Sequence, residues 1–213
     1  MLKNIFSGKI LKVASYIAVG AAALLLISTI YGGTNVAADN CPNPPTTATL
    51  NPYPITYTGE PCKDYPMLAV RLENGDYPRN QQEQNAGLTA QAGDEIYVSI
   101  YIHNGAAVNL DPDQTTARDV RVNTTVDSST GSQHYVSATA QGRNTNLIDG
   151  GALIRTGEND RLVVVPGSAE LLDAGGNVVA SGFSIANSSY RIGDMLACFE
   201  NAVYVRFKVS VDG

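Results

Sequence analysis

Tryptophan is missing from this chain and histidine nearly so, with two in 213 residues. Charge is also sparse: Asp, Glu, Lys and Arg make up 16%, against about 25% in an ordinary soluble domain. Each scarcity excludes something. Around His103 and His134 there is no His-x-Glu, His-Glu-x-x-His or Cys-x-x-Cys spacing, so the zinc signatures are missing. Neither a Gly-x-Ser-x-Gly turn nor a phosphate-cradling glycine loop occurs, which removes the nucleophile and nucleotide arrangements those motifs announce. Lys and Arg form no cluster and the formal charge is −6, which argues against nucleic acid as a partner held by a basic patch. Beyond the first 38 residues no amphipathic helical stripe is found, and no internal repeat.

What is abundant points to β-structure. Apolar residues reach 44%, with 11 Tyr, and the polar surface falls to Asn, Thr, Ser and Gln. The length allows one ordinary domain plus a tail, or two small domains. The organising stretch is Gly93 to Gly105. Ile96, Val98, Ile100 and Ile102 share one face of a strand, and Tyr97, Ser99, Tyr101 and His103 the other. The same period returns in Val203, Val205, Phe207, Val209 and Val211. Two long strands, each apolar on one face, need a second layer to cover them, so the prediction is an all-β sandwich.

Further strands are predicted at 67–73, 116–127 and 133–141. Hairpins are predicted for 151–156 with 161–165 and for 169–172 with 178–181, and a polar loop for 78–88. Turn signals at this spacing fit about seven to ten strands.

Before the sandwich, Lys3, Lys9 and Lys12 precede an uncharged run from Val13 to Tyr31. Small residues then lead to a cut after Ala38, with Val36 and Ala38 in the small-residue positions. This reads as an export signal. The run would make a helix of roughly 28 Å, so an uncleaved anchor crossing a membrane through residues 13–31 is the alternative. No lipobox precedes Cys41. Either reading predicts a secreted or cell-surface protein. Residues 42–66 hold seven of the ten prolines, and predict an extended arm over 39–66 ahead of a domain at 67–213.

Two stretches resemble the "conserved repeat" domains of prokaryotic cell-surface proteins. They are Gly93-Asp94 through Asn104-Gly105, then Ala117-Arg118-Asp119-Val120-Arg121-Val122, with Pro166-Gly167-Ser168 further along. The resemblance covers residues 67–211. It implies an immunoglobulin-like sandwich acting as a stalk, adhesin or envelope module without catalytic activity. The single copy departs from the tandem arrays usual in that family. In such a fold the first and last strands run parallel side by side. Cys62 and Cys198 then reach the same end of the sandwich and pair, leaving Cys41 as a free or intermolecular thiol. Cys41–Cys62 is the local alternative.

Several residues are candidates for chemistry. Asp111, Asp113 and Asp119 could hold Ca²⁺, or form an acidic solvated loop. Lys63 and Asn201 share the inferred end and are the candidates for an isopeptide crosslink. Asn123 and Asn187 head glycosylation sequons. Tyr97 and Tyr101 offer a stacking platform, or pack across strands. Function is expected to be that of a non-catalytic exported structural or adhesive subunit. Its expected partners are copies of itself, through strand addition by residues 39–58, or other envelope components. The alternative is a glycan- or protein-binding module using the loops at Gly75–Ala86 and Asn104–Thr116.

Overall fold

The computed structural model describes residues 41–57 and 62–213. The export segment expected at 1–38, with its membrane run at 13–31, lies outside the described residues. No helix among the described residues is long and apolar enough to cross a membrane.

Among the described residues, eleven strands form two sheets: β1 (Leu68–Leu72), β2 (Leu88–Thr89), β3 (Glu95–Ile102), β4 (Ala117–Val126), β5 (Gln133–Gln141), β6 (Ile148–Arg155), β7 (Arg161–Val164), β8 (Ala169–Leu172), β9 (Val178–Phe183), β10 (Ser189–Met195) and β11 (Val203–Asp212). One sheet runs β1-β3-β11-β8-β9, with β7 also on β11, and the other runs β10-β4-β5-β6-β2. Ile96, Val98, Ile100 and Ile102 are completely buried, as are Val120, Val122, Val136 and Ile154 of the facing sheet. The alternation of β3 thus does what its period requires: one side makes the core of a β-sandwich.

β7 and β8 are two halves of one interrupted strand along β11. Val164 pairs with Val209 and Glu170 with Arg206. Pro166 has no N–H to give the ladder, and Gly167 takes a positive φ of 73°. Ser168 covers the gap, its Oγ accepting the Lys208 N–H at 3.0 Å.

Several expectations are corrected. Residues 151–156 and 161–165 do not form a hairpin, because β6 and β7 belong to different sheets. β6 already has β5 and β2 on its two edges. The turn between, held by Gly157 N–H on Asp160 Oδ2 at 2.8 Å, carries the chain across so that Leu162 enters the core. The loop expected at 78–88 contains a short helix, α1 (Gln81–Ala86). Asn80 accepts from the Glu83 N–H, and Glu83 accepts the Arg79 N–H, a reciprocal cap. Gln84 then donates to Leu68 O and Gly151 O, closing the seam between β1 and β6. A second helical turn, α2, spans Pro112–Thr115.

The proline-rich stretch is not a detached arm, contrary to the division at residue 66. Its described residues belong to the same compact unit as the sandwich. Asn51 N–H donates to His103 O at 2.8 Å and Gly105 N–H to Thr49 O at 3.0 Å, a short antiparallel ladder that continues β3's edge. Leu50 is fully buried, and Asn146 both donates to and accepts from its backbone. Asn104 is the knot here. Its amide donates to Thr115 O and Met195 O, while its Oδ1 accepts from Thr49 N–H. Proline favours an extended chain, and an extended chain can use the edge of its own sheet as well as another's.

The disulfide joins Cys41 to Cys62, with Cα atoms 5.2 Å apart, so both the Cys62–Cys198 pairing and the intermolecular role for Cys41 are corrected. β1 and β11 do run parallel, but β3 lies between them. Two strand spacings make roughly 9–10 Å, beyond the reach of about 4.4–6.8 Å that a disulfide spans. Cys198 is buried outside this bridge.

Candidate functional site

Two places bring chemistry-bearing side chains together. The first is interior. Asp64 and His103 are both completely buried, with Oδ1 and Nδ1 2.9 Å apart. Beside that contact, Asp64 accepts the Tyr101 hydroxyl at 3.2 Å and the Tyr53 N–H at 2.8 Å. Burial, and after it the Asp64 charge, push the Tyr101 phenol far above its ordinary pKa, so its O–H remains a donor. The His103 ring stacks on Phe199 with centroids 3.9 Å apart, and Nε2 has no hydrogen-bond partner among the described residues.

An oriented His–Asp pair is half of a nucleophile-activating array. Here the imidazole is walled off from solvent by Phe199 and by Tyr53 of the proline-rich stretch. His103, expected outward, is outward only relative to the sandwich core, because residues 49–53 cover that side. His134 is equally buried, its Nε2 2.9 Å from Gly131 O and 3.1 Å from Thr156 Oγ1.

The second place is an open groove of about 230 Å³ on the outer face of the β1-β3-β11 sheet. Register makes it. Ala69 lies beside Ser99, and Ser99 beside Arg206, so two small residues form a low floor with a guanidinium at one end. The next row places Tyr101 beside Tyr204. Tyr57, Tyr65, Tyr77 and Arg79 come from the loops and complete the rim. Five of the 11 tyrosines thus converge from segments spread over the chain.

Tyr65 meets Tyr101 edge-on at 5.5 Å, and Tyr101 lies 5.4 Å from Tyr204. Burial raises the pKa of Tyr204 and of Tyr57. Tyr77 Oη and Arg206 Nε are shielded from water and have no hydrogen-bond partner among the described residues.

Of the two readings of Tyr97 and Tyr101, the stacking platform is corrected by this geometry, and both rings pack across strands, against Lys208 and Tyr204. Tyr101 is 4% exposed. Tyr97 carries the Arg71 guanidinium at 4.4 Å and the Lys208 ammonium at 4.8 Å over its ring. Lys208 is itself tied to Glu95 at 2.8 Å. Tyr57, Tyr65, Tyr77, Tyr204 and Arg206 were not singled out from sequence. Tyr204 and Arg206 did carry a signal, as outward positions of an alternating strand, but no local pattern shows which strands are neighbours.

The remaining candidates are dispersed. Asp111 accepts the Asp113 N–H as the cap of α2, Asp113 pairs with Arg118 at 3.1 Å, and Asp119 is held by Arg191 and Arg121. Of the two readings of these acids, the Ca²⁺ cluster is therefore corrected. No group of three or more His, Cys, Asp or Glu among the described residues is placed to hold a metal. Asn201 donates its amide to Ala197 O at 2.7 Å within its own turn. Asp64, the acid next to Lys63, is committed to His103, Tyr101 and Tyr53, so the carboxyl group an isopeptide bond needs beside Lys63 is occupied. Asn123 and Asn187 are both exposed. Of the two loops expected to bind, the first contributes Tyr77 and Arg79 to the groove, while Asn104 and Thr115 of the second are buried.

No protein-family model, curated protein or solved structure matches this chain. The structure itself defines the class: an all-β, two-sheet sandwich with one disulfide among its described residues.

Proposed function

We propose that this chain is a non-catalytic, exported structural or adhesive subunit of a cell surface, and that the tyrosine groove is its adhesive face. The groove carries the reading. Five aromatic rings and two guanidinium groups meet at an open surface, whereas the buried Asp64–His103 pair has no route to a substrate. The Cys41–Cys62 disulfide supports an oxidising compartment. The Gly93–Gly105 strand supports kinship with the immunoglobulin-like conserved-repeat modules that it resembles. Antibody labelling of intact source cells tests the placement, and should decorate their outside; labelling only after lysis would overturn it. Binding of the purified chain to extracted envelope material tests the adhesive role, and should fall in Tyr204→Ala.

A second reading, self-assembly by strand addition, moves from residues 39–58 to β9. Thr49–Asn51 is already paired within its own domain, while β9 has β8 on one edge only and exposes Val178 at 55% and Val179 at 62%. An uncharged edge strand of this kind is a template for another chain. Val179→Lys should abolish any concentration-dependent assembly seen by light scattering.

A further inference from the structure

On the adhesive reading above, the groove's lining narrows the ligand. We infer that it binds a proline-rich segment of a partner protein in the extended polyproline II conformation.

Size comes first. At about 230 Å³ the groove is smaller than the roughly 300–1,000 Å³ that enclose a drug-sized ligand. It suits one ring-sized unit of a longer chain passing through, and its Tyr and Pro walls offer flat apolar faces to pyrrolidine rings.

Polarity then separates peptide from sugar. Tyr77 and Arg206 line the groove, and Tyr77 Oη and Arg206 Nε have no hydrogen-bond partner among the described residues. An arginine can only donate, and a phenolic O–H has a hydrogen to give. Such a wall calls for acceptors. A polyproline II segment displays every carbonyl unpaired, and at proline it has no N–H. A pyranose brings a donor with every hydroxyl. Among the described residues, no carboxylate or carboxamide side chain lines the groove to receive those donors. Arg79 is drawn toward Glu83 at 3.1 Å, leaving Arg206, 5.6 Å over the Tyr204 ring, as the cation that faces the ligand. The polyproline helix is also stiff before it binds, so little ordering entropy opposes a shallow contact.

The test is titration of the full chain with an oligoproline peptide, a Gly/Ser peptide of equal length and a neutral oligosaccharide. Tyrosine fluorescence serves as the readout, since no Trp obscures it. Oligoproline should saturate while the Gly/Ser peptide does not. Tyr204→Ala and Arg206→Gln should each weaken it about tenfold or more. Tyr77→Phe, which removes one oxygen and leaves the ring, should weaken it without moving the melting temperature. Tyr135→Ala, on the other sheet and 60% exposed, should change nothing. Saturable oligosaccharide binding lost in the same variants, with oligoproline silent, would overturn the proline-rich ligand and leave the adhesive groove standing. Silence from all three probes at millimolar concentration would overturn both.

Discussion

Asp64 and His103 stand 39 residues apart in sequence and 2.9 Å apart in the interior, neither reached by solvent. Between them they fasten the proline-rich stretch to the end of β3. Asp64 arrives just after the loop closed by the Cys41–Cys62 disulfide, and His103 on the continuation of the organising strand. Thr56 N–H and Pro54 O both bond to the Asp64 backbone, so the carboxylate is delivered at a fixed depth.

Asp64→Ala is therefore expected to be severe. It leaves the His103 ring, the Tyr101 hydroxyl and the Tyr53 N–H without their partner in a site closed to water. Each buried polar group stranded in this way costs about 1–3 kcal/mol, so the three together should cost about 3 kcal/mol or more. Urea unfolding should show the free energy of unfolding in water falling by this amount. A change below about 1 kcal/mol would mean that water replaces the carboxylate and that the contact does not hold the stretch down.

The disulfide makes a separate contribution. Closing a loop between residues 21 apart in sequence restricts the unfolded chain by about 3 kcal/mol in the chain-entropy model. Cys41→Ser with Cys62→Ser should lower stability by about that much. A non-reduced peptide digest should yield the 41–62 link, and recovery of a 62–198 link would contradict the strand order.

Gly105 tests how tightly the stretch is laid on. A Cβ there would meet Pro52 Cγ at 2.3 Å and Tyr53 Cε2 at 2.8 Å, and neither ring can swing aside without lifting its backbone. Gly105→Ala should cost about 1–3 kcal/mol, as overpacking does. Gly131→Ala, where nothing lies within 4 Å, should be close to neutral. Equal effects at the two sites would show that residues 49–53 are loosely held.

These contacts mark where local pattern stopped being informative. β3, β5 and β11 were legible because one face of each is buried along its whole length, and a period of two survives in the residue order. β10 was not. Its register with β4 shifts around Gly193, which sits at φ 106°, and the bulges break the alternation. Proline content spoke against helix in residues 42–57, where none forms, and gave nothing of their place, which depends on bonds from Thr49 and Asn51 to β3's end. The groove was hidden for the same reason. Ala69, Ser99 and Arg206 become one row only once β1, β3 and β11 are known to be neighbours. The His103–Asp64 contact likewise joins residues that no local spacing relates.

The outer edge at β10 should be sensitive to acid. Asp119 is held below the usual carboxylate range, first by its hydrogen bond from Arg191, with Arg121 nearby. Asp194 is lowered first by the Asp119 N–H and next by Arg118, 2.9 Å away. Both folded pKa values lie below the unfolded value of about 3.9. Their contribution is therefore complete above that value and is lost as the pH falls through the depressed folded ones. These groups are exposed, so salt weakens the pairs and the effect is local. Amide exchange along β10 should accelerate relative to β5 between about pH 5 and pH 2.5, a window spanning that unfolded value, after correction for intrinsic rates. In Arg191→Gln with Arg118→Gln, β10 should already exchange faster at the higher pH and change less on acidification. A wild-type β10 indifferent to pH would show that its bulged pairing with β4 holds without these charges.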